Sequence, residues 1–371
     1  MKRLVLLGGG HAHVEVLRDL AENPDDRVSC TVVTPHARLI YTGMVPGVIA
    51  GHYKLEECAI GVESLARRAR AEFVQVAAKR VDPAAREVTC IDGTVIPYDV
   101  LSMDVGSRPL IGKATGVREH AVVVRPLEDL LTGWGSVLAR ARAGRVRSIT
   151  VVGGGAGGVE LALAMDFRMR RELAAPAPHV RVIANTPVLL PEFPEGARRR
   201  IMRRLVKRNI GSHVSSTVAE VGPDHVRLDN GLDFASDATF WAAGAGAHEW
   251  IRDSGFAVDE RGFLLTNDHL QSVTFAEVFG AGDCATQEGR PRAKAGVFAV
   301  RAAPILAANL RAALAGAPLA PFSSDPRYLA LISTGSRHAV GTWNGFAWQG
   351  GWAWRWKDRI DRKFVARYSS P

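Results

Sequence analysis

Short runs of continuous apolar residues recur along this chain, each followed by glycine and then by apolar positions three and four apart. "RLVLL" (3–7) leads into "GGGHA" (8–12) and "HVEVLRDLA" (13–21), where Val14, Leu17 and Ala21 share a helical face. That pattern predicts a strand, a tight turn and a helix. About 145 residues later it repeats: "SITVV" (148–152), a glycine-rich turn, then a helix continuing through Glu160 and Leu163. A further strand, "AEVF", ends in Gly280, Gly282 and Asp283. "DHVRLDNGLDF" (224–234) predicts a hairpin turning at Asn230-Gly231.

The glycines give the two repeats a chemistry. Gly153, Gly155 and Gly158 stand in full G-x-G-x-x-G register, which suits a tight turn, close approach of backbone to pyrophosphate, and close helix–strand packing. In the first repeat Gly8 and Gly10 fill the first two roles, and His13 stands where the third glycine belongs. A side chain there need only push helix and strand apart or lie along the groove. His11, His13, His36 and His52 show no ligand spacing, so no metal is expected. The pattern predicts an α/β fold with two Rossmann-like dinucleotide-binding domains.

Composition narrows the picture. The 371 residues are 47% hydrophobic and 23% charged, ordinary for two or three packed domains. No run of about eighteen uncharged apolar residues occurs, and the N-terminus lacks a signal-peptide pattern, so the expectation is a cytoplasmic protein. The net charge of +9 comes mostly from arginine. In "ARRRIMRRLVKR" (197–208), Ile201, Met202, Leu205 and Val206 fall at helical spacing, so the arginines read as a solvated helix face. No nucleic-acid motif accompanies them, and no nucleic-acid partner is expected. Cys30, Cys58, Cys90 and Cys284 are far apart and read as small buried hydrophobes.

The order of these motifs, with "YDVLSMDVGSRP" (98–109) and "TFWAAGAGA" (239–247), resembles the two-dinucleotide-binding-domain flavoproteins. That group includes the pyridine nucleotide-disulfide oxidoreductases, type II NADH dehydrogenases and sulfide:quinone reductases. "LLGGGHAHVEVLR", "YTGMVPGVIAGHY", "KAGVFAVRAAPILAANL" and "WRWKDRIDRKF" are similar, more closely, to the flavoprotein module fused to selenide, water dikinase. The resemblance implies a discontinuous FAD domain (1–115 and 264–325), an inserted NAD(P) domain (116–263) and a C-terminal segment (326–371). It implies that Gly8, Gly10, His11, Ala12 and His13 hold FAD at the helix N-terminus. Thr34 would stand where relatives carry an acidic ribose ligand, with Arg38 beside it. Tyr41 and Gly43 would run along the flavin, Gly282 and Asp283 would meet its ribityl or pyrophosphate region, and Gly106 would mark the crossover. Gly153, Gly155 and Gly158, with Glu160, Asn185 and Gly244, would hold NAD(P)H. Asn185 offers no positive charge, which leans the donor towards NADH and leaves NADPH open. Lys294, opening a helix beside the flavin, would stabilise the anionic reduced ring and is the candidate catalytic residue.

The implied activity is hydride transfer from NAD(P)H to FAD and on to a quinone or other small acceptor. No redox-active cysteine takes part, because the four cysteines fit neither the disulfide-reductase nor the sulfide:quinone reductase arrangement. "AVRAA", near Arg301, stands where type II NADH dehydrogenases carry a glutamine pair. The alternatives are a slow flavin- and NAD(P)H-binding regulatory protein, and a reductase of selenium or sulfur species. The tail holds a second clue: Trp348, Trp352, Trp356, Ile360, Phe364 and Tyr368 recur every fourth position among basic residues. Such a stripe suits an interfacial helix on anionic lipid, or one buried against the FAD domain or a homodimer partner.

Overall fold

The computed structural model describes residues 1–173, 176–323 and 325–369. Five parallel strands build the first sheet, in the order Val278–Gly280, Val100–Met103, Lys2–Leu7, Val28–Val33, Glu72–Val74. Strands so covered on both faces must be apolar throughout, and Leu4, Val5, Leu6 and Leu7 are all buried. The order reverses between Lys2–Leu7 and Val100–Met103, where an α/β sheet opens a crevice at its carboxyl edge. A second five-stranded parallel sheet is ordered Ala121–Val123, Ala238–Trp241, Ser148–Val152, His179–Ile183, Gly211–His213. A two-stranded ribbon, Arg108–Pro109 against Ala245–Gly246, ties the two halves.

Both glycine turns run from the central strand into a helix, His11–Glu22 in the first and Ala156–Glu172 in the second. The hairpin forms as expected, His225–Leu228 pairing with Asp233–Ala235 around Gly231 at φ +85°. In the helix Glu195–Lys207 the inward face is Ala197, Ile201 and Leu205; Val206, expected on that face, is 74% exposed. Gly296–Ala315 is long and apolar enough to cross a membrane, yet it lies along the helix His11–Glu22 with Ala302, Ala303, Leu306 and Leu310 in the core. All four cysteines are buried and unpaired.

The C-terminal segment belongs to both halves. Its antiparallel sheet, Ala330–Thr334, Ser336–Trp343 and Phe346–Gly350, sends Ile332 and Val340 into the core around the second sheet. The helix that follows, Gly351–Ser369, sends Ala353, Trp354, Val365 and Tyr368 into the core around the first.

The third glycine position explains why histidine is accepted once and not twice. A Cβ on Gly158 would stand 2.1 Å from the Gly153 carbonyl oxygen, so that helix rests directly on its strand. At the first turn His13 is fully buried, donating from Nδ1 to the Gly8 carbonyl (2.6 Å) and accepting at Nε2 from the Ser102 hydroxyl (2.8 Å). Burial holds its pKa down to about 4, so the ring is neutral and pins the turn to the neighbouring strand. It is a structural core histidine, not a cofactor ligand. Among the described residues no group of three His, Cys, Asp or Glu could hold a metal. His13→Gly, which restores the glycine pattern, should cost about 2–5 kcal/mol of stability through the lost contacts and the cavity left behind. Urea unfolding should show this; an unchanged midpoint would contradict the role given to the ring.

Candidate active site

A cleft of about 510 Å³ opens at the switch point of the first sheet. Gly8, Gly10 and His11 line it, with Thr34, Arg38, Gly106, Gly282 and Asp283 from the other loops at the strands' carboxyl ends. These eight expected residues are therefore gathered in one place. Three neighbours that the sequence reading passed over, Asp104, Ser107 and Arg125, line the same cleft.

Asp104 organises the turn. It follows the strand Val100–Met103 and its carboxylate Oδ2 accepts from the backbone N–H of Ala12 (2.7 Å) and of His13 (3.2 Å). These amides lie in the first helical turn, where four donors lack intrahelical partners and the helix dipole favours negative charge. The amides of Ala12 and His13, expected to meet phosphate, are thus already taken. Around this carboxylate only glycine fits: a Cβ on Gly10 would stand 2.3 Å from it, and one on Gly282, at φ +71°, would stand 2.3 Å from Oδ1. Desolvation, partly offset by those amide bonds, pushes the Asp104 pKa up to about 7.

Two observations fit this cleft to FAD. His11 Nε2 is a buried polar atom with no partner, and burial holds that ring's pKa down to about 4. The bare backbone of Gly8, Gly9 and Gly10 also lines the cleft, as a pyrophosphate needs. The Thr34 hydroxyl is buried beside it, where it could bond a ribose. Arg125, from the second half, reaches across to Asp283 (2.8 Å) and Ser107 (2.6 Å).

Tyr41 and Gly43 sit one layer behind the cleft, at a polar junction with the C-terminal helix. Tyr41 stacks on Phe364 with centroids 4.5 Å apart, and its hydroxyl bonds Asp361. Lys357 Nζ donates to the Gly43 carbonyl (2.6 Å) and to Asp361 Oδ2 (2.5 Å). Glu160, expected at the nicotinamide site, faces this junction from the second half and accepts from the Ser333 N–H at 2.6 Å. Desolvation pushes its pKa up to about 7 against the attraction of Lys357, and desolvation also raises that of Asp361.

The second turn is shaped differently. Gly155 caps its helix with no side-chain bond, and a Cβ there would meet nothing within 4 Å. Gly153, at φ +133°, packs against the Ala242 carbonyl. Asn185 is exposed just beyond its strand, and Gly244, at φ +58°, abuts Leu110. The open, uncapped helix N-terminus is what a nucleotide pyrophosphate needs.

Lys294 does not stand where the sequence suggested. The helix starts at Gly296 with Ala295 as its cap, and Lys294 precedes both. Its ammonium donates to the Ala285 carbonyl (2.7 Å) and the Thr286 hydroxyl (2.9 Å), and lies 3.7 Å from the centre of the Phe263 ring. It is absent from the cleft lining, and burial lowers its pKa to about 8.

Two dinucleotide-type sheets joined across a shared junction define a flavin-dependent pyridine-nucleotide oxidoreductase architecture. The chain belongs to the pyridine nucleotide-disulphide oxidoreductase family, whose model matches residues 2–303. It is 25% identical, over 78% of its length and 69% of the relative's, to a probable NADH dehydrogenase of Dictyostelium discoideum. It is 24% identical to the mitochondrial external NADH-ubiquinone oxidoreductase 2 of Saccharomyces cerevisiae, covering 78% of this chain and only 58% of that one. The fold matches the sulfide:quinone oxidoreductase of Aquifex aeolicus with TM-score 0.83 at 18% identity, over 99% of this chain and 91% of the other.

Asp104 makes a pH-dependent prediction. A carboxyl whose pKa is higher folded than unfolded stabilises the fold fully below its unfolded pKa of about 4, and that contribution is lost as pH rises through about 7. Asp104→Asn keeps an acceptor for the two amides and removes the ionisation. The melting temperature of the variant should therefore fall less than that of the wild type between pH 5 and pH 8. Asp104→Leu, which orphans both amides, should lose about 1–3 kcal/mol per amide at either pH. Parallel pH dependence in the wild type and Asp104→Asn would place the titrating group elsewhere.

Proposed function

We propose that the chain is an FAD-dependent NAD(P)H oxidoreductase that passes electrons to a quinone and uses no cysteine. The observation that carries this reading is that the two halves meet both at the FAD cleft, where Arg125 bonds Asp283, and in the layer behind it, where Glu160 of the second glycine turn's helix faces Lys357 of the C-terminal helix. The names of the two relatives, an NADH dehydrogenase and an NADH-ubiquinone oxidoreductase, support NADH as donor and quinone as acceptor.

FAD, when bound, supplies the chemistry of taking a hydride from reduced nicotinamide and giving two electrons onward. The protein's part is alignment and charge. Gly8, Gly10 and His11 would hold the pyrophosphate by backbone, Thr34 and Arg38 the adenosine end, and Asp283 the ribityl end. Gly153, Gly155 and Gly158 would hold the second nucleotide, with Asn185 and Gly244 at its borders. Reducing a quinone to a quinol takes two electrons and two protons, and the hydride brings both electrons and one proton. The other proton comes from solvent, and Glu160, protonated near neutrality and beside Lys357, is placed to hold it.

The thiols bear on the acceptor. Burial pushes Cys30, Cys58 and Cys284 up to about 12, so none offers a thiolate for sulfide or selenium chemistry. The likeness to the module fused to selenide, water dikinase therefore rests on motifs alone. The C-terminal stripe is divided: Phe364 and Tyr368 turn to the first core, while Trp352, Trp356 and Ile360 are exposed. Trp348, Trp352 and Trp356 form a triangular cluster, each centroid 6.3–6.4 Å from the other two. With Trp343 and Phe346 also exposed, this face suits peripheral docking on the cytoplasmic side of a membrane, where an apolar quinone is found. A homodimer covering the same face would instead double the mass in lipid-free solution.

Rapid mixing under anaerobic conditions tests the function. NADH should bleach the wild-type flavin, and menadione or ubiquinone should restore it within the turnover time; selenite should not. Gly155→Val has room to fold, so it should keep its yellow colour while bleaching slows by at least about a hundredfold. Unaltered bleaching would remove the nucleotide from that turn. Reoxidation by quinone should show an inflection near pH 7 that disappears in Glu160→Gln; an inflection that persists would assign the proton to another group.

A further inference from the structure

A second cavity, of about 370 Å³, lies outside the FAD cleft on another side of the C-terminal helix. His52, Tyr53, Arg337, Gly351, Trp354, Arg355, Asp358 and Arg362 enclose it, so three guanidiniums face one carboxylate. That carboxylate is already occupied. Asp358 Oδ1 accepts from the Tyr53 hydroxyl (2.7 Å) and from Arg362 Nε (3.0 Å), and Arg362 also reaches Glu57 at 3.0 Å. Arg337 and Arg355 have no acidic partner among the described residues, leaving two positive charges unanswered at the cavity. Aromatic faces hold two of the three arginines in place. Arg337 lies 5.6 Å from the Trp354 ring and Arg362 5.1 Å from the Tyr53 ring, and those two rings stack on each other at 6.3 Å.

The charge is felt inside. Burial, with the charges of Arg337, Arg171 and Arg168 adding to it, holds the His52 pKa below its usual value, so its ring is neutral and spends Nε2 on the Gly335 carbonyl at 2.8 Å. Planar guanidiniums held on aromatic faces present paired donors that match phosphate oxygens.

We propose that this cavity binds a phosphate group, and that its source is the headgroup of an anionic phospholipid. The exposed Trp352, Trp356 and Ile360 flank the cavity-lining residues on the same helix, so a chain resting on lipid by that face brings headgroups within reach of Arg337 and Arg355. The phosphate site does not depend on the redox reading; only its lipid source rests on the membrane docking proposed above.

The test uses the full chain with its flavin. Arg337→Glu/Arg355→Glu is compared with the wild type and with Arg118→Glu/Arg145→Glu, an equal charge change at exposed positions of the second half. Sedimentation with vesicles of phosphatidylcholine alone, or of equimolar phosphatidylcholine and phosphatidylglycerol, gives lipid affinity; calorimetry with inorganic phosphate gives anion affinity. The cavity variant should bind the mixed vesicles roughly thirtyfold more weakly than the wild type, and the control variant within about threefold of it. Its turnover of NADH with a water-soluble quinone should be unchanged, which shows that it folds. Saturable phosphate binding lost in the cavity variant, with vesicles indifferent, would keep the anion site and overturn the lipid source. Equal weakening in both double variants, or no difference with either probe, would overturn the site. Trp352→Ser/Trp356→Ser, read on the neutral vesicles, tests membrane docking separately.

Discussion

One buried carboxylate sets the geometry of the first half. Asp104 projects from the strand beside the switch point and takes two backbone amides at the start of the helix His11–Glu22. A helix terminus otherwise leaves such donors unpaired, and burying them unpaired would cost more than the bond returns. Once the carboxylate is there, Gly10 and Gly282 have no room for a side chain, Gly8 is closed off by the Asp104 backbone, and three separate loops are drawn to one point. His13 completes the arrangement from below by bonding the Gly8 carbonyl. The missing third glycine is therefore one consequence of how strand, turn and helix are fastened.

The C-terminal segment is the second constraint. It places apolar side chains in both cores and a polar layer between them. Arg367 and the Tyr368 hydroxyl both reach Glu15 on the first helix, at 2.7 and 2.9 Å, which locks the end of the segment over the first half. Lys357 then has little freedom, held by Gly43 and Asp361 within bond distance. In this layer desolvation raises two carboxyls, Glu160 up to about 7 and Asp361 above its ordinary value, with no metal ligand set among the described residues. Charge at this junction is thus adjusted by burial, and burial is supplied by a segment that neither glycine turn contains.

Much of this was legible in the chain because glycine turns and apolar strands are local signals. The two strand-turn-helix units, the closing "AEVFGAGD" and the Asn230-Gly231 hairpin each depend on residues within about twenty positions of one another. What could not be read depends on distance in sequence. Asp104 acts on amides more than ninety residues away, Lys357 acts on Gly43, and Arg125 acts on Asp283, and nothing in their neighbourhoods marks those partners. Asp104 did leave one trace, a lone acid between an apolar strand and a glycine in "LSMDVGS". Lys294 was misplaced for the opposite reason: a helix boundary shifted by two residues turned a lysine assigned to the flavin into one satisfied by Ala285 and Thr286.

The two glycine turns look alike in sequence and differ in how much of the helix N-terminus is left free. At the first, two of the four orphan donors are bonded to Asp104, whose carboxylate also fills the space beside the capping Gly10. At the second, the cap makes no side-chain bond and the space at Gly155 is empty to 4 Å. A turn enclosed by protein holds a ligand through surroundings built around it, so release requires those surroundings to move. An open turn gives the pyrophosphate its dipole and amides and little else, so exchange is cheap. A cycle that keeps one dinucleotide and replaces another at each turnover would use such a difference, and the acidic side chain present at one helix N-terminus and absent from the other contributes to it.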